Sequence, residues 1–281
     1  MIPHLRLFVA VAGLCVVVPA FGSRLSAQFR RLSDIERTYD AVVVVLDVRS
    51  GRVAASARAG ELRDRRWLPG SLVKLAITHA ALRRGTGTDL RYTCTGRDTI
   101  AGRAEECWNH EGHRTLNLVG AIAHSCNLFF RQLVLQLNED QIIGSSRQLG
   151  LLPVGLEWSG RLTPQTLLGE AWAVSPIDMA RVALRLARRE GELGSARYRP
   201  LYEGLAACVR EGTGSAAGGR GLALAGKTGT SPFGTGPDRF VGWFIGFAPV
   251  DQPRWVVTVL LRNGRGFEAA RIARKALGAM R

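Results

Sequence analysis

The chain carries 38 lysine and arginine side chains, yet only Lys74, Lys227 and Lys275 are lysines. Arginine serves almost wherever a positive charge is wanted, so a retained lysine marks a place where a guanidinium would not do. The difference is the proton, which a buried ammonium can lose and a guanidinium keeps. Lys74 follows Ser71 by three residues, a spacing that sets both on one face of a helix, one turn apart. Pro69-Gly70 reads as a turn, and the run from Leu72 gives an apolar helix that ends before Gly85. Desolvation lowers a lysine pKa, so Lys74 can be neutral there and accept the Ser71 hydroxyl proton. The free N–H groups of the helix start face a developing oxyanion. Acyl transfer through a serine ester is the chemistry on offer. A Ser-x-x-Lys also arises by accident, and serine commonly caps helices, so the pair acquires weight only with companions.

Two companions follow in the sequence. Thr115 to Leu137 reads as a helical stretch interrupted at His124-Ser125-Cys126-Asn127. Ser125 and Asn127 there offer a hydroxyl and an amide to Lys74 and to a substrate amide; a plain helix cap is the competing reading. Gly226-Lys227-Thr228-Gly229-Thr230 then opens a strand-like run, with Phe240 to Ala248 and Trp255 to Leu261 as further strands. On a strand edge Lys227 supplies an ammonium for a carboxylate and Thr228 a hydroxyl. Gly229 has no side chain, so an extended peptide can lie close. The Thr230 N–H can pair with that of Ser71 as an oxyanion hole. A solvated turn is the bland alternative for this motif. Lys275, in a C-terminal helical pattern, reads as surface.

A second group has ligand chemistry. Cys94, Cys107, His113 and Cys126 are spaced Cys-x12-Cys-x5-His-x12-Cys. Three thiols and an imidazole form a closed zinc set. In an exported protein a Cys94 to Cys107 disulfide, with Cys126 as a small buried residue, is an equally simple reading.

These groups need a scaffold, and 281 residues at 46% hydrophobic suffice for one compact catalytic unit. Residues 1–27 run from a basic start through an apolar stretch to small and polar residues, the shape of a signal peptide or N-terminal anchor. The working domain is then 28–281, outside the cytoplasmic membrane. Ala41 to Ala57 reads as strand, turn and strand around Arg49-Ser50-Gly51. The formal charge of +15 favours anionic partners such as lipid head groups or a lipid-linked diphosphate at the membrane surface. No basic stripe with interleaved aromatics is present, which argues against nucleic acid.

Taken in order, Ser71-x-x-Lys74, Ser125-x-Asn127 and Lys227-Thr228-Gly229 resemble the motif set of penicillin-binding proteins and serine β-lactamases. From about Tyr39 to the C-terminus the chain looks like the transpeptidase domain of class B penicillin-binding proteins. Gly169 to Ala180 with Ser175-Pro176 and Met179-Ala180, Gly212-Thr213-Gly214, and Phe244 to Pro249 are further points of similarity. The resemblance implies a mixed α/β (α+β) fold: a five-stranded antiparallel sheet flanked by helices plus an all-helical subdomain, the site between them. It implies Ser71 as acylated nucleophile, Lys74 as general base and Ser125 as proton relay to the leaving amine. Asn127 would hold the substrate amide, and Lys227, Thr228 and Thr230 the terminal carboxylate.

The implied activity is D,D-transpeptidation of D-Ala-D-Ala stem peptides, with covalent inhibition by β-lactams and no cofactor for catalysis. A D,D-carboxypeptidase differs only in using water as acceptor. A β-lactamase would need a water-positioning segment, and neither Glu-x-x-Leu-Asn nor Tyr-Gly-Asn is present. A β-lactam or muropeptide sensor would need a transmembrane partner segment, for which only the N-terminal run could serve. Elongation-type members look similar through Gly112-His113 and Ser125-Cys126, and some hold a structural zinc at these positions; the resemblance therefore favours zinc. Class B members usually carry a large N-terminal pedestal, for which Gln28 to Asp40 leaves no room.

Overall fold

A computed structural model describes residues 23–56, 58–63, 65–151, 172–219, 221–233 and 239–280. Residues 1–22 of the signal-like segment, and 169–171 at the start of one family-like stretch, lie outside them. Helix α1 (Ser23–Tyr39) leads into strands β1 (Ala41–Asp47) and β2 (Val53–Ala55). After a 3₁₀ turn at Gly70–Val73 come α2 (Lys74–Arg84), the short strands β3 (Tyr92–Cys94), β4 (Arg97–Ile100), β5 (Arg103–Glu106) and β6 (Arg114–Leu116), and α3 (Leu118–His124). Then follow α4 (Asn127–Val134), α5 (Glu139–Leu149), α6 (Pro176–Arg188) and α7 (Arg199–Arg210). Strands β7 (Ala225–Pro232), β8 (Phe240–Ala248) and β9 (Trp255–Arg262) precede α8 (Gly266–Ala279).

The main sheet has the order β2-β1-β9-β8-β7 and is antiparallel throughout. Alternation along β1 explains why both faces are covered: Val42, Val44 and Leu46 enter one core, Val43 and Val45 the other. The first core holds the apolar faces of α2 to α7, the second those of α1 and α8. The strand-turn-strand expected from Ala41 onward is β1 and β2, which ends at Ala55; Ala57 lies outside the described residues. Thr115 and Leu116, read as helical from sequence, instead pair with Thr93 and Tyr92 in a two-stranded ladder. A second ladder joins β4 to β5. The helical part of the domain therefore carries two small sheets as well. Among the described residues no helix is long and apolar enough to cross a membrane.

The fold's main task is to press the Ser71 turn against the edge strand β7. Gly70 has φ +53, and a Cβ there would sit 2.2 Å from the Thr230 carbonyl oxygen. A Cβ at Gly229 would come within 2.5 Å of the Pro69 carbonyl oxygen. Two bare backbones thus meet where side chains would hold them apart. The Leu68 carbonyl fixes the approach, accepting from Ser231 Oγ at 2.8 Å and Trp243 Nε1 at 2.9 Å. Gly70→Ala adds a Cβ to a left-handed residue with no room for it. We expect a loss of at least about 2 kcal/mol in urea denaturation. Gly60→Ala, where nothing lies within 4 Å of the new Cβ, should stay within about 0.5 kcal/mol.

Candidate active site

Ser71 is the second residue of the 3₁₀ turn, half-buried, and caps no helix. Among the described residues its hydroxyl has no hydrogen-bond partner. Lys74 closes the turn, its backbone N–H donating to the Ser71 carbonyl, which keeps the two residues one turn apart. The Lys74 side chain is 1% exposed. Its Nζ lies 2.7 Å from the Ser125 carbonyl, 3.3 Å from Ser125 Oγ and 2.7 Å from Asn127 Oδ1, with the Phe130 ring 5.4 Å away. Three oxygens satisfy either protonation state: an ammonium donates to all of them, a neutral amine donates to two and accepts from the Ser125 hydroxyl. Burial, then the charge of Lys227, lowers the Lys74 pKa to about 7.

The interruption of the helical stretch is a built corner. Asn117 caps α3 through the Gly120 N–H, and Ser125 ends it in a left-handed conformation at φ 54. Cys126 then starts α4, its Sγ accepting from the Phe129 N–H. A non-glycine residue rarely takes this conformation, and here it turns both Ser125 oxygens toward Lys74.

Lys227 lies in β7, fully buried, and is no part of a solvated turn. Its Nζ donates to the Thr228 carbonyl at 3.0 Å. Burial lowers its pKa to about 8. Thr228 Oγ1 meets Thr213 Oγ1 at 2.6 Å, which brings the Gly212-Thr213-Gly214 segment to the edge strand. Thr230 Oγ1 accepts from the Gly266 N–H at 3.0 Å, leaving its O–H to donate elsewhere. The three motifs therefore meet: Lys74 with Ser125 and Asn127 directly, the Ser71 turn with Gly229 and Thr230 through their backbones. Sequence reasoning passed over Leu68 and Phe130, and marked Gly212-Thr213-Gly214 as family-like without foreseeing the Thr213 contact to Thr228; these contacts span long separations that no local pattern marks.

Cys94, Cys107, Cys126 and His113 also converge, all four ligand atoms lying within 4.8 Å of one another. His113 Nδ1 is 3.5 Å from Cys94 Sγ and 3.6 Å from Cys107 Sγ, and the Cys107 and Cys126 sulfurs are 3.9 Å apart. A tetrahedral zinc with about 2.3 Å to sulfur and about 2.05 Å to nitrogen needs ligand separations of about 3.8 and 3.5 Å, so the donor set fits. All three thiols are free, and no disulfide joins Cys94 to Cys107. The Cys126 thiol donates to Cys107, and backbone amides of Asn109 and Asn127 reach the same sulfur, holding Cys107 far below the usual thiol range. Sharing that proton, and burial, push Cys126 up.

The architecture is that of solved penicillin-binding proteins. It superposes on PBP2 of Pseudomonas aeruginosa with a TM-score of 0.76 at 20% identity, covering 92% of this chain and 74% of that one. For PBPA of Mycobacterium tuberculosis the TM-score is 0.74 at 20% identity, covering 92% and 78%. The family described as "Penicillin binding protein transpeptidase domain" matches residues 41–278, and the chain belongs to it. Among curated relatives, peptidoglycan D,D-transpeptidase PbpA of M. tuberculosis is 26% identical over 264 residues, 77% of this chain and 54% of the relative. The PbpA of Mycolicibacterium smegmatis is 25% identical over 244 residues, 70% and 50%. The chain thus spans about half the length of the curated relatives it matches.

The two buried lysines have different demands. Lys74→Arg cannot be deprotonated, and we expect a loss of at least about a hundredfold in acylation rate. Lys227→Arg keeps a fixed charge and should lose about tenfold or less, mainly in substrate affinity. Equal losses in stopped-flow acylation would overturn this division.

Proposed function

We propose that the chain is a peptidoglycan D,D-transpeptidase acting on D-Ala-D-Ala stem peptides. The observation that carries this reading is Lys74: buried, lowered to about 7, and bonded to both polar residues of the Ser125-x-Asn127 corner. Ser71 Oγ attacks the carbonyl of the penultimate D-Ala while its proton passes to Lys74 Nζ. The N–H groups of Ser71 and Thr230 receive the oxyanion. As the C–N bond breaks, Ser125 Oγ relays the proton to the leaving D-Ala amine, and Asn127 holds the donor amide. An acceptor amine then takes the acyl group and frees Ser71. Lys227, Thr228 and the Thr230 O–H receive the terminal carboxylate, while Gly229, expected to make room for the peptide, instead makes room for the Pro69 carbonyl of the Ser71 turn. A β-lactam mimics that donor and acylates the same oxygen; catalysis needs no cofactor.

The likeness between residues 1–27 and a signal peptide or anchor supports an exported domain at the outer face of the cytoplasmic membrane. There the net charge of +15 suits anionic lipid and lipid-linked precursor. Cys94, Cys107, His113 and Cys126 would hold one structural zinc, which would fix the loop bearing the first three to the corner bearing Ser125 and Asn127.

Fluorescent penicillin should give an adduct that persists for hours, located on Ser71 by peptide mass spectrometry. Ser71→Ala should abolish it and move stability by less than about 0.5 kcal/mol, since no cap is lost. An adduct elsewhere, or rapid turnover, would refute the transferase reading. The acylation rate with a carboxylate-bearing donor should be bell-shaped in pH. It rises as Lys74 loses its proton near 7 and falls as Lys227 loses its charge near 8. A flat profile across that range would remove Lys74 as base. Protein purified without a histidine tag should contain about one zinc per chain, and chelation should lower both the melting temperature and the acylation rate. Metal-free protein with unchanged melting would count against the site.

A further inference from the structure

A second group of charged side chains stands at the other end of the substrate edge. Trp67, four residues before Ser71, packs against Phe233, the residue after β7, with ring centroids 5.0 Å apart. Trp67 is buried and held by both its backbone groups, which exchange hydrogen bonds with Val174. The Phe233 N–H donates to the Arg239 carbonyl at 2.8 Å. Over this pair lie two guanidiniums. Arg65 Cζ is 4.3 Å from the Trp67 centroid and 5.9 Å from that of Phe233; Arg239 Cζ is 5.9 Å from Phe233. Both arginines are exposed, and among the described residues neither has a carboxylate partner. Neighbouring Arg66, by contrast, is engaged with Asp178. Stacking on aromatic faces fixes a guanidinium's plane and leaves its N–H edge open to a planar anion.

The position along β7 says which part of a donor would meet them. With the terminal carboxylate at Lys227 and Thr228 and the attacked carbonyl at Thr230, the donor runs on along the strand toward Pro232 and Phe233. Three residues of extended strand separate Thr230 from Phe233, about 10 Å. The residue before the D-Ala-D-Ala pair advances by one such step, and a long side chain spans the remainder. We propose that Arg65 and Arg239, seated on Trp67 and Phe233, form a subsite for a carboxylate on that side chain. The donor is then an acidic stem peptide whose third residue ends in a carboxylate. This rests on the transpeptidase reading, since it takes its direction from the donor's placement on β7.

The test is competition with fluorescent penicillin for Ser71, which needs no turnover. Two pentapeptides serve, alike except that the diaminopimelate at the third position ends in a free carboxylate or in its carboxamide. The free acid should protect Ser71 about fivefold better, the size expected for two solvent-exposed charge-assisted contacts. That ratio should fall toward one in the Arg65→Gln/Arg239→Gln protein, and in unaltered protein at about 0.5 M salt, where exposed charges are screened. Equal protection by the two peptides, or a ratio that survives both substitutions, would overturn the subsite alone. Failure of both peptides to protect, while penicillin still labels Ser71, would remove the donor reading as well.

Discussion

A single buried ammonium dictates the geometry of this domain. Lys74 is nearly solvent-free, and a buried polar group left without partners costs about 1–3 kcal/mol, more when charged. The chain answers with the corner between α3 and α4, where one serine in a left-handed conformation and one asparagine supply three oxygens. Those oxygens must come from another element, because α2's own carbonyls are used within the helix. The corner therefore ties α2 to α3 and α4, and moving it would expose or orphan the amine. Burial that lowers the pKa and contacts that satisfy the nitrogen come from the same packing. Lysine is retained here in a chain that otherwise uses arginine almost everywhere.

The corner in turn leans on the cysteine cluster. Cys126 sits between Ser125 and Asn127, and the Asn127 N–H donates to Cys107 Sγ at 3.4 Å. The two small ladders that bring Cys94, Cys107 and His113 to this point are too short to be stable alone. Arg131 of α4 and Glu105 of β5 add a nearly buried ion pair at 2.9 Å. The loop from Tyr92 to His113 is thus fastened to α4 by charge and sulfur as well as by Ile100, which is buried in the same apolar core.

Much of this was legible in the sequence because it is local. The turn before Ser71, the helix ending at Gly85, the strand-turn-strand at the start and the polar interruption at Ser125 all depend on neighbouring residues. Gly85, indeed, is the left-handed cap that its place after Arg83-Arg84 suggests. The spacing of the cysteines and histidine raised two readings; what the spacing could not convey is that the thiols stay free and gather around His113. Thr115 and Leu116 were misread because their ladder with Tyr92 and Thr93 overrides an apolar pattern that continues into α3. Thr213 with Thr228, and Leu68 with Ser231 and Trp243, were invisible: they join residues far apart in the chain, and nothing in either segment points to the other.

A sheet with an open edge invites unwanted pairing with another chain. One edge here is β2, only three residues long, and it offers little to join. The other is β7, eight residues long and bound to β8 on one side only. Its exposure is rationed by the Ser71 turn, which lies across Gly229 and Thr230, and by Pro232, which removes a donor at the far end. The Ser71 turn thus also shields part of a sheet edge that would otherwise be free to pair with another chain.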